Sequence, residues 1–220
     1  MKVNRLKSNL LNNTRRVVGK EPILIGLTGG IASGKSTVIQ YIRYQGYPVI
    51  DADKLGHKVL EPGNPGYSKV VEKFGKDILN KDKTVNRLIL GGIVFSDPSK
   101  LKALNEISHP IIAEMVLKEF KSIVSKDLKG IVFLEAALLI EANWYNMCHH
   151  IWVITLEAAE ASRRLQKRDG LSESEARSRL ESQLTAKERL AYADVVLHND
   201  GSRKDLLTQT QVALEELQSN

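Results

Sequence analysis

The chain has 220 residues, 42% hydrophobic, and a single cysteine, Cys148; that suits one domain with insertions and excludes an internal disulfide or a multi-cysteine zinc site. The formal net charge is +6, but residues 1–20 hold Lys2, Arg5, Lys7, Arg15, Arg16 and Lys20 and no acid. Removing those six from the 32 basic residues leaves 26 against 26 acidic residues, so the globular part has no excess positive charge and no nucleic-acid partner is expected.

Residues 1–20 read as a basic arm in three ways. They suit a plain tail, or an organelle transit sequence rich in Arg, Lys and Asn. They also suit a helical linker from a larger parent chain, since Val3, Leu6, Leu10 and Leu11 fall at helical spacing. No apolar run reaches membrane-span length, so a soluble, cytoplasmic protein is expected, with organelle targeting by the arm as an alternative.

The first candidate strand, 23–28, runs into "LTGGIASGKST". The spacing Gly29-x-x-x-x-Gly34-Lys35-Ser36 is that of a phosphate-binding loop. Glycines let backbone N–H groups face inward, and the helix that follows points its positive end at the same spot. Lys35 would reach the β- and γ-phosphates, and the Ser36 hydroxyl would sit on Mg²⁺. A nucleoside triphosphate and Mg²⁺ are therefore the expected ligands. A second strand, 48–51, leads into "DADKLG". Asp51 and Asp53 follow the carboxyl end of that strand, where ligands of open α/β sheets lie. Either could orient an attacking hydroxyl or hold Mg²⁺ through water, and either could cap the next helix.

About 80 residues then read as mostly helical, opened by the loop "LEPGNPGYSK". His109, before Pro110, is expected at a helix start. The third strand, 131–135, ends in Glu135, an acid suited to the outer shell of Mg²⁺, and a helix is expected after it. Glu141 reads equally as a structural acid or a site residue. His149 and His150 adjoin Cys148, a spacing that rarely makes a metal site. The fourth strand, 151–155, precedes "ASRRLQKRDGLSESEARSRLESQ", two helices meeting at Asp169-Gly170. Ser172 with Glu175, and Thr185 with Glu188, make capping boxes. Arg163, Arg164 and Arg168 suit either a solvated helix face or a lid that closes over a triphosphate. The fifth strand is 194–198. Strands alternating with helices indicate an α/β domain with a parallel sheet.

Taken in order, "IGLTGGIASGKST", "VIDADKLGHKVLEPGNPGY", "NRLILGGIVF", "HPII", "LEAALLIEANWY", "RRLQKRDGLSESEARSRLESQ" and "HNDGS" resemble the dephospho-coenzyme A kinase family from Ile23 to about Leu217. The wording is most similar to the kinase half of animal bifunctional coenzyme A synthases, and "RLKSNLL" in the arm weakly resembles their linker. The resemblance implies a phosphate-loop NTPase-type core with a five-stranded parallel sheet, a helical substrate-binding insertion and a helical lid. The kinase domain would be 21–220, with its core in 21–54, 130–160 and 191–220, its insertion at about 55–129 and its lid at about 161–190. The implied reaction, the last step of coenzyme A biosynthesis, phosphorylates the 3′-hydroxyl of dephospho-coenzyme A with ATP, giving coenzyme A and ADP.

By the same resemblance, Ala32, Ser33, Gly34, Lys35, Ser36 and Thr37 match the ATP-binding loop, to which the glycine-loop reading adds Gly29, Gly30 and Ile31. Asp53 matches the acid at the acceptor hydroxyl, Arg168 the lid arginine, and Asn199 with Gly201 the loop by the adenine; Arg164, from the arginine cluster, is a further expected ATP-binding residue. Arg87 and His109 match the substrate-binding helical part. Many relatives carry an aspartate or an apolar residue where this chain has Glu135. Alternative readings are another small phosphate-loop kinase, acting on a nucleoside, nucleotide or sugar acid, and a nucleotide-dependent switch. The long insertion weighs against the first, and the lack of any device for an attacking water weighs against the second.

Overall fold

The computed structural model describes residues 22–126 and 130–219, so the arm lies outside the described residues. The five apolar runs form β1 (Ile23–Gly29), β2 (Val49–Asp51), β3 (Ile131–Glu135), β4 (His150–Thr155) and β5 (Val195–His198). They build one parallel sheet in the order β2-β3-β1-β4-β5. The central strand β1 has Ile25 in register with Phe133 on one side and His150 on the other. A parallel strand covered on both faces has no polar side, and six of the seven residues of β1 are buried.

One side of the sheet is covered by α1 (Lys35–Tyr44) and α9 (Arg203–Ser219). Val38, Ile39 and Ile42 of α1 and Leu206, Ala213 and Leu214 of α9 join Ile25, Leu27, Phe133 and Trp152 in one buried cluster. The Phe133 ring meets Tyr47 and Trp152 edge-on. Each such side chain adds about 1.5–3 kcal/mol on full burial, so the cluster anchors the strand ends from which the functional loops spring.

After β4 come α6 (Ala158–Asp169), α7 (Glu173–Glu181) and α8 (Ala186–Leu190). The expected break falls at Gly170, which is left-handed with φ 68. Both expected capping boxes form, Ser172 with Glu175 on α7 and Thr185 with Glu188 on α8. The helix expected after β3 does not form. Turns and a short 3-10 segment, Trp144–Met147, take its place, because Asn143 adopts a left-handed φ of 58 that an α-helix cannot contain.

The described residues up to Ile50, with those from Ser122 onward, form one compact unit, and Asp51–Lys121 form a second. The second unit contains α2 (Ala52–Val59), α3 (Pro65–Phe74), α4 (Arg87–Phe95) and most of α5 (Pro98–Val124). Its core is Val70, Ile78, Val85, Leu90 and Val94. His109 is not at a helix start, because α5 begins at Pro98 and continues through Pro110. The Asp97 side chain accepts the Ser99 N–H at 2.9 Å, and its carbonyl accepts from Lys100 and Leu101. A proline at the next position suits a first helical turn. Pro110 removes one helical hydrogen bond, but Ile112, Val116 and Phe120 beyond it are buried and carry the helix through.

Candidate functional site

In the sheet unit, the loop after β1 is shaped by close approach. A Cβ at Gly29 would lie 2.5 Å from Ser33 Oγ and 2.8 Å from Ile154 O. Gly34 is left-handed at φ 95, and a Cβ there would lie 2.3 Å from Asn199 Nδ2. Asn199 is buried and donates from Nδ2 to Ser33 O at 2.8 Å. It therefore supports the loop by a contact across most of the chain. Ala32 is also left-handed, with φ 61, and turns of this kind bring successive N–H groups to one side.

Helix α1 starts at Lys35 without a side-chain cap and without an acid in its first turn. Helices α2, α4, α7 and α8 have a capping oxygen from Asp51, Asn86, Ser172 or Thr185, whereas α3, which opens on Pro65, and α6, with Glu160 in its first turn, share the missing side-chain cap. Helix α1 is distinguished by following the glycine loop. The positive end of α1 is thus left to be matched by an anion. Ser36 is exposed in that first turn, and Thr37 donates to Gly34 O at 3.0 Å.

Beside this loop stands a second group. Arg164 donates from Nη2 to Asn199 O at 3.3 Å and from Nε to Glu160 at 2.7 Å. Hydrogen bonds from Arg163 and then Arg164 hold the Glu160 carboxyl down at about 2, so it stays ionised and keeps Arg164 in place. Asp200 accepts the Glu157 N–H at 2.8 Å, which ties the start of α6 to the loop after β5. Gly201 lies in that loop, where a Cβ would stand 2.9 Å from Asp205 Oδ2. The structure therefore brings Ser33, Gly34, Arg164 and Asn199 together. It places Arg168 differently, in the last turn of α6, mostly exposed and paired with Asp169 at 2.7 and 3.0 Å. Arg179 of α7 meets the same Asp169 at 3.1 Å.

Two residues that sequence reasoning missed also reach the loop. Gln183 Oε1 accepts the Ile31 N–H at 3.0 Å, and Arg189, only 4% exposed, donates to Gln183 and to Leu184 O. Burial pulls the Arg189 pKa below its ordinary value, opposed by the nearby Glu141 carboxylate. Glu141, read from the sequence as a structural acid or a site residue, pairs with Arg189 at 3.5 Å. A cavity of about 550 Å³ adjoins Gly30, Ile31, Ser33, Thr155, Leu180 and Arg189. The cavity is bordered by the loop, β4, α6 and residues between Glu173 and Arg189.

In the helical unit, Asp51 accepts from Lys54 N at 2.9 Å and pairs with its ammonium at 3.1 Å, the cap geometry. Asp53 is exposed in the first turn of α2. Arg87 opens α4 and donates to His57 O at 3.3 Å. His109 is half-buried within α5, and burial lowers its pKa. In the sheet unit, Glu135 ends β3 in register with Leu27. His149 Nδ1 accepts the Leu24 N–H at 2.9 Å, which makes this ring part of the strand framework. Among the described residues no group of three or more His, Cys, Asp or Glu could hold a metal ion. No described helix is long and apolar enough to cross a membrane.

A five-stranded parallel sheet of this order, with a glycine loop and an uncapped helix after its central strand, defines a phosphate-loop kinase fold. Shikimate kinase from Bacteroides thetaiotaomicron shares the fold, with 16% identity and a TM-score of 0.50 over 89% of this chain and 98% of its own. The chain belongs to the dephospho-CoA kinase family, whose model matches residues 23–205. It is similar to the dephospho-CoA kinase of Shouchella clausii (strain KSM-K16), 42% identical over 86% of this chain and 96% of that one. The dephospho-CoA kinase of Carboxydothermus hydrogenoformans is also 42% identical, over 86% and 93%. Among solved structures, dephospho-CoA kinase from Campylobacter jejuni matches with 32% identity and a TM-score of 0.66, covering 88% of this chain and 96% of its own.

Proposed function

We propose that this chain transfers the γ-phosphoryl group of ATP to the 3′-hydroxyl of dephospho-coenzyme A, the reaction that its family implies. The observation that carries the donor half is the uncapped, acid-free start of α1 directly after a glycine loop buttressed by Asn199. Backbone N–H groups of 29–37 cradle the phosphates, and Lys35 follows the γ-phosphoryl group as it moves. Arg164 and Arg168 neutralise charge on the triphosphate, and Asn199 and Gly201 flank the adenine. Arg164 already stands at Asn199, which favours this assignment.

The acceptor half rests on Asp53. Phosphoryl transfer passes through a loose transition state, so the hydroxyl needs aiming more than early deprotonation. A carboxylate accepts its hydrogen bond and takes the proton late. Asp51 has the geometry of a helix cap, and Asp53 stands exposed in the first turn of the same helix, which favours Asp53 for this role. Arg87 and His109 bind the coenzyme portion. Leu88 and Phe95, 88% and 80% exposed on the same helix as Arg87, supply apolar surface for its aliphatic part.

A hydroxyl, phosphate oxygens and water make a donor set that suits Mg²⁺, which prefers few protein ligands. Ser36 would hold the ion, with Glu135 as an outer carboxylate. The ion would neutralise charge on the β- and γ-oxygens. ADP release measured with and without dephospho-coenzyme A tests the reading, together with the mass of the product. Release that depends on the acceptor, with one phosphate added to it, is expected. The same slow release in both tubes would make the protein a nucleotide switch.

A further inference from the structure

The single peptide unit joining Gly30 to Ile31 is held at both ends. Its carbonyl accepts the Ser33 N–H at 3.2 Å, and its N–H donates to Gln183 Oε1 at 3.0 Å. The same Gln183 oxygen accepts from Arg189 Nη2 at 3.3 Å. Arg189 is itself fixed by the Leu184 carbonyl and by the Glu141 carboxylate, 3.5 Å away. Its Nη1 comes so near the loop that a Cβ at Gly30 would lie 3.4 Å from it. Arg189 is 4% exposed, and its Nε has no hydrogen-bond partner among the described residues. A buried cation with so little solvent is expensive to place, and this one contacts the loop partner Gln183 and Glu141.

We infer that Gln183 and Arg189 are positioning residues that lock the Gly30–Ile31 peptide and so keep the phosphate loop in its anion-binding shape. The inference rests on the phosphate-loop reading given above. A peptide next to glycine flips readily, because no Cβ restrains it. A flip would aim the Gly30 carbonyl at Gln183 Oε1 and the Ile31 N–H at the Ser33 N–H, breaking both hydrogen bonds and the Gly30–Ser33 turn that shapes the loop. The clamp prevents this from outside the loop. Gln183 lies just beyond α7 and Arg189 lies in α8. The segment that follows the hairpin therefore holds the entrance of the donor site, and neither residue need touch the nucleotide.

Titration of ATP into the folded wild type, Gln183→Leu, Gln183→Glu and Lys35→Ala tests this. Loss of one neutral hydrogen bond should weaken ATP binding roughly fivefold to tenfold in Gln183→Leu. The KM for ATP should rise in step, with kcat and the KM for dephospho-coenzyme A changed less than about twofold, since the lost contact acts on ground-state and transition-state binding alike. Gln183→Glu keeps an acceptor oxygen beside Arg189 and should restore binding. Gln183→Met replaces Gln183→Leu if the latter does not fold. A purely structural role would lower the melting temperature and leave the affinity of the folded fraction unchanged, which would overturn the inference. Normal ATP binding in Gln183→Leu with weakened binding in Lys35→Ala would overturn the inference alone. Normal binding in both would overturn the phosphate-loop reading, and the inference with it.

Discussion

The two compact units hold their candidate residues in opposite ways. In the sheet unit, the loop after β1 is fixed by contacts between distant parts of the chain: Ser33 with Asn199 and Ile31 with Gln183. In the helical unit, the contacts are closer in sequence: Asp51 with Lys54, Asn86 with Leu88 and Ile89, Arg87 with His57. The sheet unit also seals its loop with buried side chains, whereas Asp53 and Arg87 are exposed. The difference suggests a division of labour. A triphosphate can be met by backbone shaped in advance, and pre-organised dipoles require no reorganisation during the reaction. In the proposed reading, an acceptor hydroxyl is met by single side chains on helix turns.

The largest effect should come from Lys35, proposed to follow the transferred group. Lys35→Ala should lower turnover by about 10³–10⁵, the scale on which a charged group acts on a phosphoryl transition state. Turnover near wild type in a folded variant would break the comparison at its stronger side. Asp53→Asn keeps size and one acceptor oxygen but removes charge and basicity, so single-turnover transfer should fall by roughly 10²–10⁴. Unchanged chemistry would make Asp53 a first-turn helix acid and nothing more.

Arg168→Lys sharpens the contrast within the sheet unit. The planar fork is lost and the charge kept. Turnover should fall roughly tenfold, or about 1.4 kcal/mol, with a raised KM for ATP. A change in melting temperature alone would assign Arg168 to its pairing with Asp169. The smallest effect concerns pH. Glu160 titrates at about 2 in the folded chain, below its ordinary value of 4.5. Its contribution is therefore fully present above the ordinary value and is lost as pH falls toward about 2. The melting-temperature difference between wild type and Glu160→Gln should be constant above pH 5.5 and shrink below pH 4. A difference that disappears near neutrality would contradict the Glu160 pairing.

Much of the sheet unit was legible because buried parallel strands read as continuous apolar runs. Each expected strand falls within one residue of the observed one. The capping boxes were equally plain, since three-residue spacing is a local signal. The start of α5 was obscured, because Pro110 looked like a beginning and the cap at Asp97 lies 12 residues upstream of His109. The turns after β3 depend on the left-handed Asn143, which an apolar pattern does not reveal. Gln183 and Arg189 could not be found at all. "TAKERL" reads as a capped surface helix, and the partner of Gln183 is 152 residues away in sequence.

The central claim is that the sheet unit holds ATP without help from Asp53. Calorimetric titration of ATP into Lys35→Ala, Asp53→Asn and wild type, without dephospho-coenzyme A, tests it most directly. The account predicts wild-type affinity in Asp53→Asn and strongly weakened binding in Lys35→Ala. Binding lost in Asp53→Asn to the same extent as in Lys35→Ala would contradict it and place Asp53 with the nucleotide and its metal.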